Sequence, residues 1–135
     1  MTARGRRDGR TPSQASAWSV LLASAVLEAI WALALHASHG FTVLVPSLVF
    51  AVAAPLSMIG LGYAMRGIPL STAYAVWTGT GAALTVLASM VIGTEPVSVL
   101  KLLFIAGIVG CVIGLKFAPA PPSKAAGTGS GSVQD

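Results

Sequence analysis

Glu28 lies about halfway along Ala17–Ala37 (AWSVLLASAVLEAIWALALHA), a stretch in which nothing else carries a charge. A run of this length crosses a bilayer as a helix, which takes about 20 residues. A carboxylate at the centre of such a helix costs about 2.5–3.5 kcal/mol on insertion scales, so it marks a functional position. On a helix, Ser24, Ala25, Trp31, Ala32 and Leu35 share the face of Glu28, at offsets of three, four and seven. A later span offers a comparable face in Tyr74, Trp77, Thr78 and Gly81, and Ser57 adds a hydroxyl from the span between. These residue types describe a cation site. Glu28 supplies the counter-charge, and the rings of Trp31, Tyr74 and Trp77 are each worth about 0.5–2 kcal/mol to a cation stacked on them. Ser57, Tyr74 and the Trp31 indole are expected to donate hydrogen bonds to the carboxylate when no ligand is bound. A carboxyl in a poor dielectric takes up a proton or pairs with a cation, and one charge does not serve both. Combined with alternating access, that competition is sufficient for antiport. Trp18, at the start of the same stretch, reads as a membrane-interface aromatic instead.

The elements that must position these residues are four apolar spans. Hydrophobic residues make up 55% of the 135 residues and charged ones 9%, against roughly 25% charged in a soluble domain. The expected fold is all-α, with four transmembrane helices at Ala17–Ala37, Val43–Met65, Ile68–Ile92 and Val97–Leu115. Pro46, Pro69 and Pro96 stand near the starts of the last three, where a missing N–H is tolerated. Pro55 falls inside the second span, and there it is expected to bend the helix and free a carbonyl. The short connections HASHGFT, RGI and GTE make successive helices antiparallel neighbours. Residues 1–16 read as a disordered basic tail, 17–117 as the four-helix domain, and 118–135 as a disordered Pro/Gly/Ser-rich tail. The run after Arg6 and Arg7 is too long for a cleaved signal and contains Glu28.

The net charge of +4 does not indicate a nucleic-acid partner, because four of the eight basic residues lie in the first ten positions. That placement sets orientation in the lipid bilayer. With both termini in the cytoplasm, Arg4, Arg6, Arg7, Arg10, Arg66, Lys116 and Lys124 lie inside, and only Lys101 lies outside. Cys111, the sole cysteine, reads as a small packing residue. His36 and His39 lack a carboxylate or thiol partner, so no metal site is expected. Nothing in the chain calls for a cofactor or an enzymatic mechanism. Four helices enclose too little space for a two-sided pathway, so a dimer is expected. Ala106, Gly110 and Gly114, with Gly107 beside them, offer a helix-contact surface. Gly79 and Gly81 (WTGTG) are expected to act as a hinge or in close helix packing.

The segments LEAIWALALHASHGF, IPLSTAYAVWTGTGA and GCVIGLK together resemble the small multidrug resistance family of proton-coupled exporters, over about Ala17–Phe117. Trp31 one turn after the acid, Ser57, and AYAVWTG at Ala73–Gly79 resemble its guanidinium-exporter subtype. The drug-exporting subtype tends to carry a tyrosine where Ala54 stands. The resemblance implies an antiparallel dimer in a bacterial inner membrane, with Glu28 shared between protons and a guanidinium-type cation. It also implies that Trp31, Ser57, Tyr74 and Trp77 organise the site. Guanidinium suits it chemically, since the ion meets a carboxylate through two parallel N–H···O bonds. Ala25 stands where the subtype usually has glycine, and His36 where it usually has lysine. The seven-to-one charge bias departs from the balanced charge of dual-orientation homodimers and points to a paired homologous subunit. Without the tail the count is three to one, which keeps the homodimer ahead. Two alternatives stay open: a promiscuous exporter of quaternary ammonium and aromatic cations, and one subunit of a heterodimeric pair without independent transport.

Overall fold

A computed structural model describes residues 11–119, and the expected tails lie outside it from 1 to 10 and from 120 to 135. Four helices hold most of the described residues: α1 (Gln14–Ala37), α2 (Leu44–Ala64), α3 (Leu70–Ile92) and α4 (Val99–Phe117). Each is long and apolar enough to cross a membrane. The boundaries follow local chemistry. α1 starts at Gln14, three residues inside the expected tail, because the Ser13 side chain accepts a hydrogen bond from the Ser16 N–H. α4 starts at Val99 and not at Val97, since Pro96 precedes the Ser98 N-cap. α3 ends at Gly93, whose φ of 81° is the left-handed conformation that glycine adopts most readily. α2 continues through Pro55, whose missing N–H leaves the Ala51 carbonyl without its helical donor.

The α1–α2 connection is tied to Ser38, which is fully buried. Its hydroxyl donates to the Leu35 carbonyl and accepts from the Phe41 N–H, while its own carbonyl accepts from Thr42 N. His39, Gly40 and Phe41 all take positive φ in this turn. For Phe41 that conformation is sterically unfavourable, and its ring compensates by packing edge-on against Phe50, with centroids 5.4 Å apart.

α1 is the hub: it packs along both α2 and α3, which touch each other at only a few points, and α4 lies against α3. Small residues make the α1–α2 seam close. A Cβ added at Gly60 would stand 2.8 Å from Ser24 Cβ, and one at Gly67 2.9 Å from Ala17 Cβ. Apolar surface cannot drive helices together in lipid, so this close backbone approach is what holds them. The buried cluster joins Leu21 and Ala25 of α1 to Leu61 and Ala64 of α2 and to Val76 and Trp77 of α3. The N-terminal end of α1 meets the C-terminal ends of α2 and α4: Ser16 Oγ lies 3.3 Å from Tyr63 Oη, and Lys116 Nζ 5.8 Å from the Trp18 ring. Both ends of the described chain therefore emerge at the same end of the bundle.

Candidate functional site

Glu28 lies in the middle of α1, half-buried, with its carboxylate laid against the backbone of α3 at Gly81. A Cβ built on Gly81 would overlap Oε2, Cδ and Cγ of Glu28, so any other residue at 81 would displace the acid. Gly81 therefore serves close approach. Gly79, half a turn earlier, packs towards α4, where an added Cβ would stand 3.1 Å from Ile108 Cγ2.

The hydrogen bonds expected onto the carboxylate are not the ones formed. Ser57 is fully buried and donates its single proton to the Ser24 carbonyl at 2.7 Å. Trp77 Nε1, also buried, donates to Ser57 Oγ at 3.1 Å. A hydroxyl has one proton to give. Once it goes to Ser24, Ser57 has none for Glu28. The relay Trp77–Ser57–Ser24 nevertheless pins α3 and α2 to the turn of α1 that precedes the acid. Tyr74 lies near Trp77, with ring centroids 6.0 Å apart and planes tilted by 38°, and is 55% exposed. Among the described residues no hydrogen bond joins it to Oε2 of Glu28.

Trp31 remains beside Glu28 on α1, and its indole leans edge-on against Phe50 of α2, with centroids 5.9 Å apart. Two buried polar atoms have no hydrogen-bond partner among the described residues: Glu28 Oε2 and Trp31 Nε1. Buried polar groups are ordinarily satisfied. A buried acceptor and a buried donor, both unpaired and one helical turn apart, mark a candidate position for a ligand. The acceptor sets its charge: positive, or a proton.

Phe50 escapes the sequence reading, although it lies seven residues before Ser57 and so shares its face of α2. Gly107, Gly110 and Gly114 meet nothing within 4 Å of an added Cβ. All three are exposed, and among the described residues this face of α4 is left open. His36 lines a separate cavity, at the C-terminal end of α1.

A family model described as Small Multidrug Resistance protein matches residues 16–108. A guanidinium exporter of Proteus vulgaris is 44% identical over 101 residues, 75% of this chain and 97% of that protein. One of Yersinia pseudotuberculosis is 44% identical over 102 residues, 76% of this chain and 98% of that protein. One of Salmonella typhimurium is 43% identical over 99 residues, 73% and 94% respectively.

Proposed function

The chain belongs to the Small Multidrug Resistance family, and on that premise we propose that it exports guanidinium and small substituted guanidiniums in exchange for protons. The observation that carries this reading is the buried, unpaired Oε2 of Glu28. An ionised carboxylate in an apolar bundle is stabilised by a ligand that removes its charge, and two such ligands exclude one another. Guanidinium fits: it is donor-only, planar, and pairs with a carboxylate through two parallel N–H···O bonds. The Trp31 indole and its Phe50 support bound the space on the α2 side, favouring a flat ion over a bulky one. A proton arriving from the opposite side releases the cation, and the cycle reverses.

The site is completed by a second copy of the chain in antiparallel orientation. The exposed Tyr74 and the open glycine face of α4 support this, since a polar aromatic and a small-residue stripe suit a helix neighbour better than lipid. The Lys and Arg distribution favours both termini in the cytoplasm of a bacterial inner membrane.

The test is proton-driven guanidinium exchange in proteoliposomes. Glu28→Gln keeps the shape and removes the charge, and coupled exchange is expected to vanish. Substantial residual coupled exchange in that variant would sink the mechanism.

A further inference from the structure

Between the C-terminal ends of α1 and α3 opens a cavity of about 470 Å³. Ala32, His36, Thr85, Ser89, Thr94 and Glu95 line it. Its walls continue the stripes that meet at Glu28. Ala32 and His36 lie four and eight residues beyond Glu28 on α1, and Thr85 and Ser89 lie four and eight beyond Gly81 on α3. At 1.5 Å per residue, His36 stands about 12 Å along the helix from the acid.

Leu33, Ala37 and Ile92 give the cavity an apolar floor, and its polar groups are mainly acceptors. Thr94 N, Thr94 Oγ1 and Glu95 N all donate to the Ser89 carbonyl, at 3.0, 3.0 and 3.3 Å. These bonds fold the residues after Gly93 back over the cleft and bring Glu95 to its mouth. Lys101 hydrogen-bonds and ion-pairs with Oε2 of Glu95. That partner holds the carboxyl below its usual range, so it is ionised at neutral pH. Thr85 Oγ1 donates to the Gly81 carbonyl at 2.8 Å, which commits its proton and turns the hydroxyl into an acceptor. The His36 imidazole stands on the same wall. Both flanking helices end here, and each C-terminus carries about half a negative charge. One acidic carboxylate, two helix C-termini, hydroxyl oxygens and an imidazole face a single cavity, against the one cation of Lys101.

We propose that this cavity is a second binding site for a small, planar, donor-only cation of the guanidinium type. It stages the ion between Glu28 and this end of the bundle. The inference rests on guanidinium being the cargo, and the test separates the two. The full chain carrying Glu28→Gln, which removes the first site, is titrated with guanidinium chloride in lipid nanodiscs at constant ionic strength. The His36 and Thr94 resonances are followed by NMR, with urea as the uncharged, equally planar control. Saturable shifts with guanidinium and none with urea are expected. Adding Glu95→Gln is expected to weaken this binding at least about tenfold, the value of one lost charge-assisted hydrogen bond. Adding Thr85→Val, which keeps every charge and removes the accepting hydroxyl, gives a smaller loss and serves if the first double variant misfolds. No saturable shift, an equal response to urea, or binding unchanged by both second substitutions overturns the staging site. Guanidinium exchange by the wild type would still stand in those cases. Absence of wild-type exchange counts against the proposed function.

Discussion

Gly81→Ala isolates the contact on which the site is built. The added methyl overlaps Oε2, Cδ and Cγ of Glu28, and the carboxylate must retreat by on the order of 1 Å to restore ordinary van der Waals separation. Two effects on stability oppose each other. Alanine is a better helix former than glycine by about 1 kcal/mol, and overpacking costs about 1–3 kcal/mol. Because the displaced atoms are the end of a flexible side chain, the net change is expected within about 2 kcal/mol of zero. Function suffers more. A shifted carboxylate loses one of the two parallel bonds to guanidinium, worth about 1.5–3 kcal/mol, or roughly a 10–100-fold rise in half-saturating concentration. Guanidinium exchange in proteoliposomes measures the rise, and thermal denaturation in detergent checks that the fold survives. Gly79→Ala is the control, since its methyl meets Ile108 Cγ2 at 3.1 Å and not the acid. Wild-type half-saturation in Gly81→Ala, or an equal loss in Gly79→Ala, refutes the reasoning.

Ser57→Ala leaves Trp77 Nε1 buried without its acceptor. It should lower stability by about 0.6–2 kcal/mol, the range for hydrogen bonds between membrane helices. Trp77→Phe removes the stranded donor, so the double variant should cost less than the sum of the singles in thermal denaturation; strict additivity would mean that the relay does not couple α2 to α3. Proton competition at Glu28 has a definite sign. Protonation removes the charge that holds the cation, so guanidinium affinity falls as pH falls, approaching about tenfold per pH unit for one proton per site. Half-saturation measured across a pH series checks this, and a flat profile would rule out competition for the same carboxylate.

The spans were legible because a run of about 20 apolar residues has few soluble alternatives, and their ends moved by no more than three residues. Ser13 extended α1 backwards, and Pro96 with Ser98 delayed α4. Glu28 was legible by its cost alone. Gly81 was visible as a small residue, but its contact with Glu28 depends on which faces of α1 and α3 meet, and spacing within one helix does not encode that register. Ser57 shows the limit most clearly. Its hydroxyl was expected on the carboxylate, and which acceptor wins a single proton is decided by distances of tenths of an ångström. It falls to the Ser24 carbonyl, one turn before the acid. Phe50 carried a signal, the seven-residue spacing to Ser57, yet a lone phenylalanine in an aliphatic run is ordinarily lipid-facing.

The diversion of Ser57 has a chemical consequence for exchange. A hydroxyl bonded to Glu28 would have to be displaced by every incoming cation, at about 1–3 kcal/mol for the bond broken. It would also stabilise the charged acid in the empty state and so blunt the competition between proton and cargo. With Ser57 committed to Ser24 and the acid resting on the bare backbone of Gly81, no side-chain donor of the described residues reaches Oε2. The carboxylate is held in place by packing and left unsatisfied in charge. Such an acid is least stable when empty, which suits a carrier that must change orientation only when loaded with a proton or a cation. The same hydrogen bonds that stiffen the bundle thus leave Oε2 of Glu28 without a donor among the described residues.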